Sequence, residues 1–475
     1  MKIDEPTANS ASEAAESSRG AAVSELSSAN PGRASAPARP SAARNTLWIL
    51  ATRVISLPLG FLVAWMLEPV GQGEFTFLSL FGSLVLPVAT LGFGGSIIYY
   101  ISSGKYAARD VLPTSLFVGL LQGFANAALV GLLWQFGWLG ETAAAIPASL
   151  MIPTLLVLPI QGAILMLTRV LLGDSCFALN NWVTLATPLV NSVALLVFVV
   201  ALKLGVAGAV AAVVATNLIV AVYLVWGSWR RYRPQLALNG PFLREGFRYG
   251  LKIWPTDVAV RANLRLDQFL LGVLAPGNVL GLYSVAVKIS EMLWMLPDSL
   301  AFVLFNRIAG EKDSEHRIAL TSRIHRILFF AVGLSSLAAG LLGYWLLPIL
   351  MPKYAGSALP LLLLIPGTVC FTTTKVISKY FAANGAPGRS SITAVAGAVV
   401  GVTLYFIMVP LFKIDGAAIS SSASYITMSI AAIWLYRNMI APAPVRLFGL
   451  KRADIRWAID LLHAALPARL RRAVP

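Results

Sequence analysis

The sequence is poor in charged residues and nearly free of cysteine. Asp, Glu, Lys and Arg make up only 12% of the 475 residues, and 57% of the residues are hydrophobic. Soluble domains have about 25% charged residues, so this balance excludes an ordinary soluble protein. The two cysteines, Cys176 and Cys370, cannot build a disulfide framework, and we expect them to be small buried hydrophobic side chains.

Signatures of nucleotide and metal chemistry are also missing. The chain has no glycine-rich phosphate loop of the Walker type, so nothing indicates an ATPase. Its three histidines, His316, His325 and His463, match no metal-ligand spacing, and we expect neither a metal nor a cofactor. Residues 1–44 lack the apolar core of a secretory signal and are rich in Ala, Ser, Pro and Arg, so we predict a disordered cytoplasmic tail.

Long apolar segments make up most of the remaining chain. Each runs for about twenty residues, the length that a helix needs to cross about 30 Å of hydrocarbon, whereas barrel strands would alternate every second residue. The sequence therefore predicts an all-α polytopic membrane protein with about 12 transmembrane helices. The predicted spans are Asn45–Leu67, Thr76–Ile101, Leu112–Trp138, Ile146–Leu167, Asn181–Leu202, Val206–Trp226, Leu251–Leu274, Val279–Asn306, Ile324–Leu347, Leu359–Phe381, Ser391–Leu411 and Ala417–Tyr436.

Lysine and arginine are distributed very unequally between the predicted loops. With the N-terminus inside, the outer side holds only Lys203, Lys353 and Lys413, and the inner side holds the other loop and tail bases. The positive-inside rule then places both termini in the cytoplasm. The net charge of +16 follows mostly from this topology and from attraction to anionic membrane lipids, so no nucleic-acid partner is needed.

The predicted loops are too short to house a catalytic domain. The basic cytoplasmic linker 230–250 is among the longest on the inner side, and no outer loop could hold a glycosidase or a ligase. The C-terminal tail 439–475 has apolar residues at helical spacing among bases, which favours an amphipathic helix on the inner leaflet. Docking of this tail to a cytoplasmic partner is the alternative.

An internal repeat divides the chain into two halves. Arg53 matches Arg261 at an offset of 208 residues, and Arg169 matches Lys375 at an offset of 206. Six intervening spans keep the two halves in the same orientation, an architecture of transporters whose substrate site lies between the halves. We predict two pseudo-symmetric six-helix lobes around a central cavity. Their predicted bounds are 45–229 and 251–438.

Charged residues interrupt the seventh predicted span. A charge at the bilayer centre costs at least about 2.5–3.5 kcal/mol, so each such group must face protein or water. Asp257, Arg261 and Arg265 follow at i, i+4 and i+8 and share one helix face, and Asp267 lies on a neighbouring strip.

Further charges fall in the eighth, tenth and first spans. Lys288 and Glu291 are three residues apart, Lys375 and Lys379 are four apart, and Arg53 lies in the first span. Bases outnumber acids within the spans, which indicates a wet cavity with a positive field and an anionic ligand. Arginine presents a planar fork that matches phosphate oxygens, and lysine adds a point charge.

These charges receive two predicted roles. Substrate binding is assigned to Arg53, Arg261, Arg265, Lys375 and Lys379. Coupling or charge balance is assigned to Asp257, Asp267, Lys288 and Glu291. One alternative is that the pairs Asp257–Arg261 and Lys288–Glu291 only hold helices in register. Another is that the more superficial bases extend to the inner headgroups, namely Arg53, Arg265, Lys375 and Lys379.

Several stretches resemble one family of membrane transporters. The stretch RLDQFLLGVLAPGNVLGLYSVAVKISEM (Arg265–Met292) resembles the Arg-x-Asp…Gly-x-Tyr-Ser centre of bacterial polysaccharide flippases. AWMLEPVGQGEF (Ala64–Phe75), YFAANGAPGRSS (Tyr380–Ser391) and DGAAISSSAS (Asp415–Ser424) are similar to that family as well. Its members are O-antigen and exopolysaccharide translocases of the multidrug/oligosaccharidyl-lipid/polysaccharide exporter superfamily. The sequence departs from the family at Glu68, where a small residue usually precedes the proline.

The resemblance implies a transporter rather than an enzyme. Its substrate would be an oligosaccharide linked to undecaprenyl phosphate or diphosphate, moved across the bacterial inner membrane by two lobes that open alternately to each side. Polymerase and other polysaccharide-assembly proteins are implied partners. Three alternatives stay open: a multidrug antiporter of the same fold, which should have an acidic cavity, a membrane polymerase or ligase, which needs a large exterior loop, and a scaffold whose tail recruits partners.

Overall fold

The structure is a computed structural model. It describes the backbone of residues 40–295, 297–298, 308, 311, 313–440 and 447–457, and the side chains from Pro58 onward apart from that of Phe177. The chain forms two compact units, Met1–Trp48 and Ile49–Pro475. Residues 40–48 of the first unit are helical, and the predicted tail 1–44 lies almost wholly outside the described residues. All contacts reported below lie within the second unit.

Nearly all of the described backbone is helical, and this part of the chain contains no β-strand. The helices of the first half are α1 Pro40–Leu80, α2 Leu86–Ala89, α3 Phe93–Ser102, α4 Ala108–Gln135, α5 Gly140–Ala145, α6 Ala148–Gly173, α7 Phe177–Leu195 and α8 Gly205–Tyr232, with π-helical turns at Phe81–Val85 and Leu196–Ala201. Those of the second half are α9 Gly240–Leu274, α10 Gly277–Leu293, α11 Ser314–Leu350, α12 Ala358–Ala383 and α13 Pro387–Ile440, with a 3-10 turn at Pro352–Ser357. The predicted all-helical membrane fold is confirmed.

Eight of the described helices are long and apolar enough to cross a membrane, fewer than the twelve predicted spans. The 54-residue α13 contains both the eleventh and the twelfth predicted span. Two predicted spans of the second half are not among the eight. α9 carries too many charged residues, and α10 is short, with 17 residues. The first predicted span lies mostly before Pro58. The twelve spans fall largely on helical backbone wherever that backbone is described.

Single residues break α1 and α13 where the sequence suggested loops. Glu68 has φ 58° and ψ 170°, and Lys413 has φ 49° and ψ −118°. The cause at Glu68 is local, because a residue before proline is pushed away from helical backbone and Pro69, without an N–H, suits the first turn of the next helix. A positive φ is costly for a residue with a β-carbon, so the surrounding fold must hold Glu68 in place.

Glycines bring the predicted outer ends of the two halves into backbone contact. A β-carbon at Gly73 of α1 would lie 1.8 Å from the Gly277 carbonyl oxygen. A β-carbon at Gly281 of α10 would lie 1.8 Å from the Pro69 carbonyl oxygen. Neither position can accept a side chain unless the backbone moves, so the close approach of α1 and α10 depends on both glycines.

Polar contacts reinforce the same end of the molecule. The Tyr354 hydroxyl donates to the Ala64 carbonyl oxygen at 2.7 Å. Lys353, next to it in the 3-10 turn, forms an ion pair with Glu68. Glu68, whose backbone is strained, therefore forms its ion pair with a lysine of the other half.

The first turns of α9 pack against the break between α2 and α3. A β-carbon at Gly92 would lie 2.2 Å from the Gly250 carbonyl oxygen. The Trp254 indole N–H donates to the Val88 carbonyl oxygen at 2.7 Å. The predicted inner end of α9 therefore packs directly against the first half.

Most of the predicted linker 230–250 is helical. α8 continues to Tyr232, and only residues 233–239 lie outside a helix before α9 begins. Asn239 caps α9 because its side-chain oxygen accepts from the Phe242 N–H at 3.0 Å. The bounds of the linker and of the two lobes stay predictions.

The described part of the C-terminal tail, residues 447–457, packs against α11. Asp454 is 1% exposed and accepts two hydrogen bonds from Arg326, at 2.7 and 2.9 Å. The Leu447 side chain is buried, and its carbonyl oxygen lies 2.9 Å from His325 Nδ1. A buried carboxylate needs a charged partner, which α11 supplies here. Residues 452–457 are helical, and the position of this tail on the inner leaflet stays a prediction. Residues 458–475 lie outside the described residues.

Replacing Gly73 with alanine should destabilise the protein. The added methyl group collides with backbone rather than with a movable side chain, and such overpacking costs about 1–3 kcal/mol. We expect a lower unfolding temperature for the purified protein in detergent. Gly277→Ala is the matched control, because the nearest atom to its β-carbon would lie 3.5 Å away, at ordinary contact distance. Equal losses in the two variants would contradict the backbone contact.

The tail should stay bound to α11 from neutral pH down to about pH 4. The Arg326 guanidinium holds the pKa of Asp454 below its usual range. A lowered pKa stabilises the folded form above the unfolded-state pKa, and this contribution is lost as the pH falls through the folded-state value. Limited trypsin digestion of the basic tail measures its release. Asp454→Asn should be cleaved faster at pH 7, whereas the exposed Glu315→Gln should not.

Candidate functional site

α9 places predicted site residues along one of its faces. Asp257 is exposed, whereas Arg261 and Arg265, one and two turns further on, are half-buried. Asp267 lies on the neighbouring strip and is 2% exposed. The charged face therefore runs from an exposed end into the interior, as the helical spacing predicted.

Arg265 and Glu291 join α9 to α10 through a two-point ion pair. Nη1 of Arg265 donates to Oε1 of Glu291 at 2.6 Å, and Nη2 donates to Oε2 at 3.3 Å. The pairing of Glu291 with Lys288 is therefore wrong, because the planar guanidinium matches both carboxylate oxygens at once and an ammonium does not. Arg265 is therefore charge-compensated by Glu291.

Asp267 lies inside the helix packing of the second half. One of its oxygens accepts from the Tyr283 hydroxyl at 2.7 Å and from Ser421 Oγ at 3.0 Å, and the other accepts from the Gln268 N–H at 2.7 Å. The Tyr405 hydroxyl extends this network, 3.0 Å from Ser421 Oγ. These bonds satisfy the buried carboxylate and tie α9 and α10 to α13. The coupling role of Asp267 stays a prediction.

Lys288 lies where α10 meets α1. A β-carbon at Gly60 would lie 3.8 Å from both Cδ and Nζ of Lys288, so the ammonium lies beside the backbone of α1. Within the described residues, no carboxylate comes within 4 Å of it. The Arg53 side chain is outside the described side chains. Because Arg53 precedes Gly60 by two helical turns, both positions share one face of α1.

Arg261 also lacks a direct carboxylate partner. Among the side chains that the structure describes, no acid lies within 4 Å of its guanidinium, so the ion pair of Asp257 with Arg261, given above as an alternative, is not formed. Two charges act on Arg261 at longer range, Asp257 on its own helix and Arg169 on α6. The half-buried Arg169 side chain thus belongs to the surroundings of Arg261, although the sequence placed it only among the inner-side bases.

The two lysines of α12 have different environments. Lys375 donates to Asp298 Oδ1 at 2.7 Å, and its ammonium lies 5.1 Å from the ring centre of Trp294 and 5.4 Å from that of Phe371. An acid and two aromatic faces therefore stabilise its charge. Lys379, one turn further along, is exposed.

Several residues of this region were missed by the sequence analysis. Arg169 could have been found, because the repeat pairs it with Lys375. Tyr283 could have been found from its place in the Gly-x-Tyr-Ser motif. Trp294 and Phe371 gave no signal, because they come from different predicted spans and meet only in three dimensions.

An apolar groove lies between α1, α10 and α11. It has a volume of about 730 Å³. Its walls come from α1, α10 and α11 and include Phe61, Leu62, Trp65, Ile289, Met292, Leu342, Leu346 and Leu350. Ile289 and Met292 follow Lys288 on α10, so a cationic group and the apolar walls lie within about one turn of each other.

Comparisons with known proteins agree with this architecture. A family model described as polysaccharide biosynthesis protein matches residues 42–309, more than half of the chain. The probable flippase AglR of Haloferax volcanii is 24% identical over 198 residues, which span 39% of this chain and only 40% of that protein.

The fold is similar to solved transporter structures. An inward-facing multidrug resistance MATE family transporter of the MOP superfamily has a TM-score of 0.66 and 14% identity, over 83% of this chain and 98% of that one. An outward-facing MATE family transporter of the same superfamily has a TM-score of 0.57 and 17% identity, over 84% and 94%. At these identities the likeness establishes the fold.

Removing the carboxylate of Glu291 should destabilise the protein. Glu291→Gln leaves Arg265 half-buried without its anion, and a hydrogen bond to a charged group contributes about 1.5–3 kcal/mol. We expect a lower unfolding temperature, with recovery in the double variant Arg265→Gln, Glu291→Gln, which removes both charges. Asp257→Asn is the control, because Asp257 is exposed. A loss as large in that control would argue against the pair.

Proposed function

The chain belongs to the polysaccharide biosynthesis protein family and has the fold of MOP-superfamily transporters, and from this we propose that it is a flippase for a lipid-linked oligosaccharide. The resemblance read from the sequence is confirmed by the family match. In the proposal, an oligosaccharide linked to undecaprenyl phosphate or diphosphate moves from the inner to the outer leaflet of the bacterial inner membrane. The product serves exopolysaccharide or O-antigen assembly.

One observation carries the proposal: an ammonium group without a carboxylate partner among the described residues lies on the same helix turn as the wall of an apolar groove. Lys288 lies at the contact with α1, and Ile289 and Met292 of the same helix line the groove. A lipid phosphate has the complementary pair of features, an anion attached to a long hydrocarbon chain.

In the proposal, each predicted site residue has its own role in binding the substrate. Arg261 and Lys288 bind the phosphate, because neither is neutralised by a direct partner among the described residues. Arg53, Lys375 and Lys379 strengthen the positive field, and Arg265 joins when its pair with Glu291 opens. The prenyl chain lies in the groove, and the glycan occupies the wet space between the two lobes. Asp257, Asp267 and Glu291 balance these charges or bind the coupling ion.

The charge of the site argues against export of cationic drugs. A multidrug antiporter of the same fold would have to bring a cation close to Arg261 and Lys288. Like charges at contact distance repel by about 4 kcal/mol at the effective dielectric of a protein surface. An anionic substrate fits the same residues without this cost.

The proposal includes the topology read from the loop charges. Both termini lie in the cytoplasm, and Lys203, Lys353 and Lys413 lie outside. The lobes 45–229 and 251–438 rock about the substrate site. Anionic lipids contact the inner bases, and polymerase and other assembly proteins receive the glycan.

Purified protein reconstituted in liposomes should transfer a fluorescent undecaprenyl-diphosphate-linked oligosaccharide between leaflets. We expect Arg261→Ala and Lys288→Ala each to slow transfer about tenfold or more, because each loses a charge-assisted bond of about 1.5–3 kcal/mol. Quenching of the outer-leaflet fluorophore measures the rate.

Arg109→Ala is the matched control for this assay. Arg109 is exposed, and its nearest acid is the adjacent Asp110 at 3.3 Å, so its loss should leave transfer unchanged. Transfer no faster than in protein-free liposomes would overturn the proposed function. Wild-type rates in both site variants would overturn the assignment of the phosphate to Arg261 and Lys288.

A further inference from the structure

The described part of the C-terminal tail, residues 447–457, has two different faces. Its inward face packs against α11, where Leu447 is 2% exposed and Asp454 is 1% exposed. On the outward face three large apolar side chains are 40–46% exposed, namely Phe448, Leu450 and Ile455. The segment therefore buries its only acid and leaves these apolar side chains accessible.

Phe448 lies at the depth of the membrane-spanning part of α11. The centre of its ring is 5.2 Å from that of Phe329 and 5.6 Å from that of His325. Phe329 is five residues inside the predicted span Ile324–Leu347, about 8 Å along the helix axis. The next residue, Phe330, is 42% exposed, so the exposed apolar surface of α11 continues onto the tail. In the proposed topology, Phe448 is therefore level with the hydrocarbon edge of the inner leaflet.

Bases flank the apolar side chains of the outward face. Lys451, Arg452 and Arg456 are exposed, and among the described residues none of the three has a carboxylate within 4 Å. Apolar groups beside such bases match an anionic bilayer surface, where each base strengthens binding about fivefold. An acidic protein surface would match the bases but not the depth of Phe448, so the membrane is the better partner.

The inward face of the segment holds two helices of the second half together. The Leu447 carbonyl oxygen lies 2.9 Å from His325 Nδ1, and Nε2 of the same ring lies 2.9 Å from Thr373 Oγ1 of α12. Arg326 of α11 donates two hydrogen bonds to Asp454. A partner that fixes the outward face therefore also fixes the contact between α11 and α12.

We propose that the outward face of residues 447–457 is a binding site for anionic phospholipids of the inner leaflet. Lys451, Arg452 and Arg456 bind the headgroups, and Phe448 and Leu450 insert at the edge of the acyl chains. Lipid charge thereby holds the tail against α11 and stabilises the inner end of the second half. The inference rests on the proposed topology and not on the identity of the transported lipid.

The test places a nitrobenzoxadiazole fluorophore on the tail of the full chain. The label is attached to Leu450→Cys in protein that also carries Cys176→Ala and Cys370→Ala, and Gln235→Cys in the exposed loop between α8 and α9 is the control position. The protein is reconstituted in liposomes of phosphatidylcholine alone or mixed with phosphatidylglycerol. Lipids with a nitroxide quencher near the top of the acyl chain report contact between the label and the membrane.

We expect strong quenching at position 450 and little at position 235. Asp454→Asn weakens the inward face, so retention of the tail then depends on the outward face. In this variant the quenching at position 450 should persist with phosphatidylglycerol and fall in phosphatidylcholine alone.

Removing the three bases should abolish that dependence on lipid charge. Adding Lys451→Gln, Arg452→Gln and Arg456→Gln to the Asp454→Asn variant should weaken retention of the tail about a hundredfold, because three contributions of about fivefold multiply. Three exposed bases of the same predicted side provide the matched control, and their replacement should change nothing: Arg109→Gln, Arg244→Gln and Arg248→Gln.

Quenching at position 450 no stronger than at position 235 would overturn the lipid site and leave the outward face to a cytoplasmic protein. Equal quenching of the Asp454→Asn variant in the two lipid mixtures would overturn the role of the bases. Neither measurement involves transport, so the lipid site can stand where oligosaccharide transfer fails, and the proposed function can stand where the lipid site fails.

Discussion

The low dielectric of the membrane interior decides where each charged side chain of this protein can lie. A charge there must be paired, hydrogen-bonded or kept in contact with water. Arg265 and Glu291 meet the requirement as a pair between neighbouring helices, and Asp267 meets it with three hydrogen bonds. Arg261 and Lys288 have no carboxylate within 4 Å among the residues that the structure describes, and both side chains are only partly buried.

The same constraint shapes the contact between the halves. At the predicted outer end, glycines allow backbone to touch backbone, and the ion pair of Glu68 with Lys353 fastens the strained turn of α1. The predicted outer end is held by attraction, whereas Arg261 and Lys288 have no carboxylate partner among the described residues.

These two features together suit the transport of an amphiphilic anion. In the proposed function, a phosphate binds to bases that lie where the halves meet, so that binding and the relative movement of the halves depend on the same residues. The apolar groove beside Lys288 offers the hydrocarbon chain a place outside the wet space that the glycan needs. A base such as Lys375 could not link phosphate binding to the movement of the halves in this way, because Asp298 already neutralises its charge within one half.

The sequence by itself determined the elements that depend on local pattern. Apolar length predicted the helices, the spacing of Asp257, Arg261 and Arg265 predicted a shared face, and family motifs predicted the transporter class. Only the tertiary structure decided the partners, because an ion pair depends on how helices distant in sequence are packed. Glu291 bound Arg265 rather than its neighbour on the helix, and Asp267 found hydrogen-bond partners on α10 and α13. Periodicity describes one helix at a time, whereas the choice among acids and bases is made between helices.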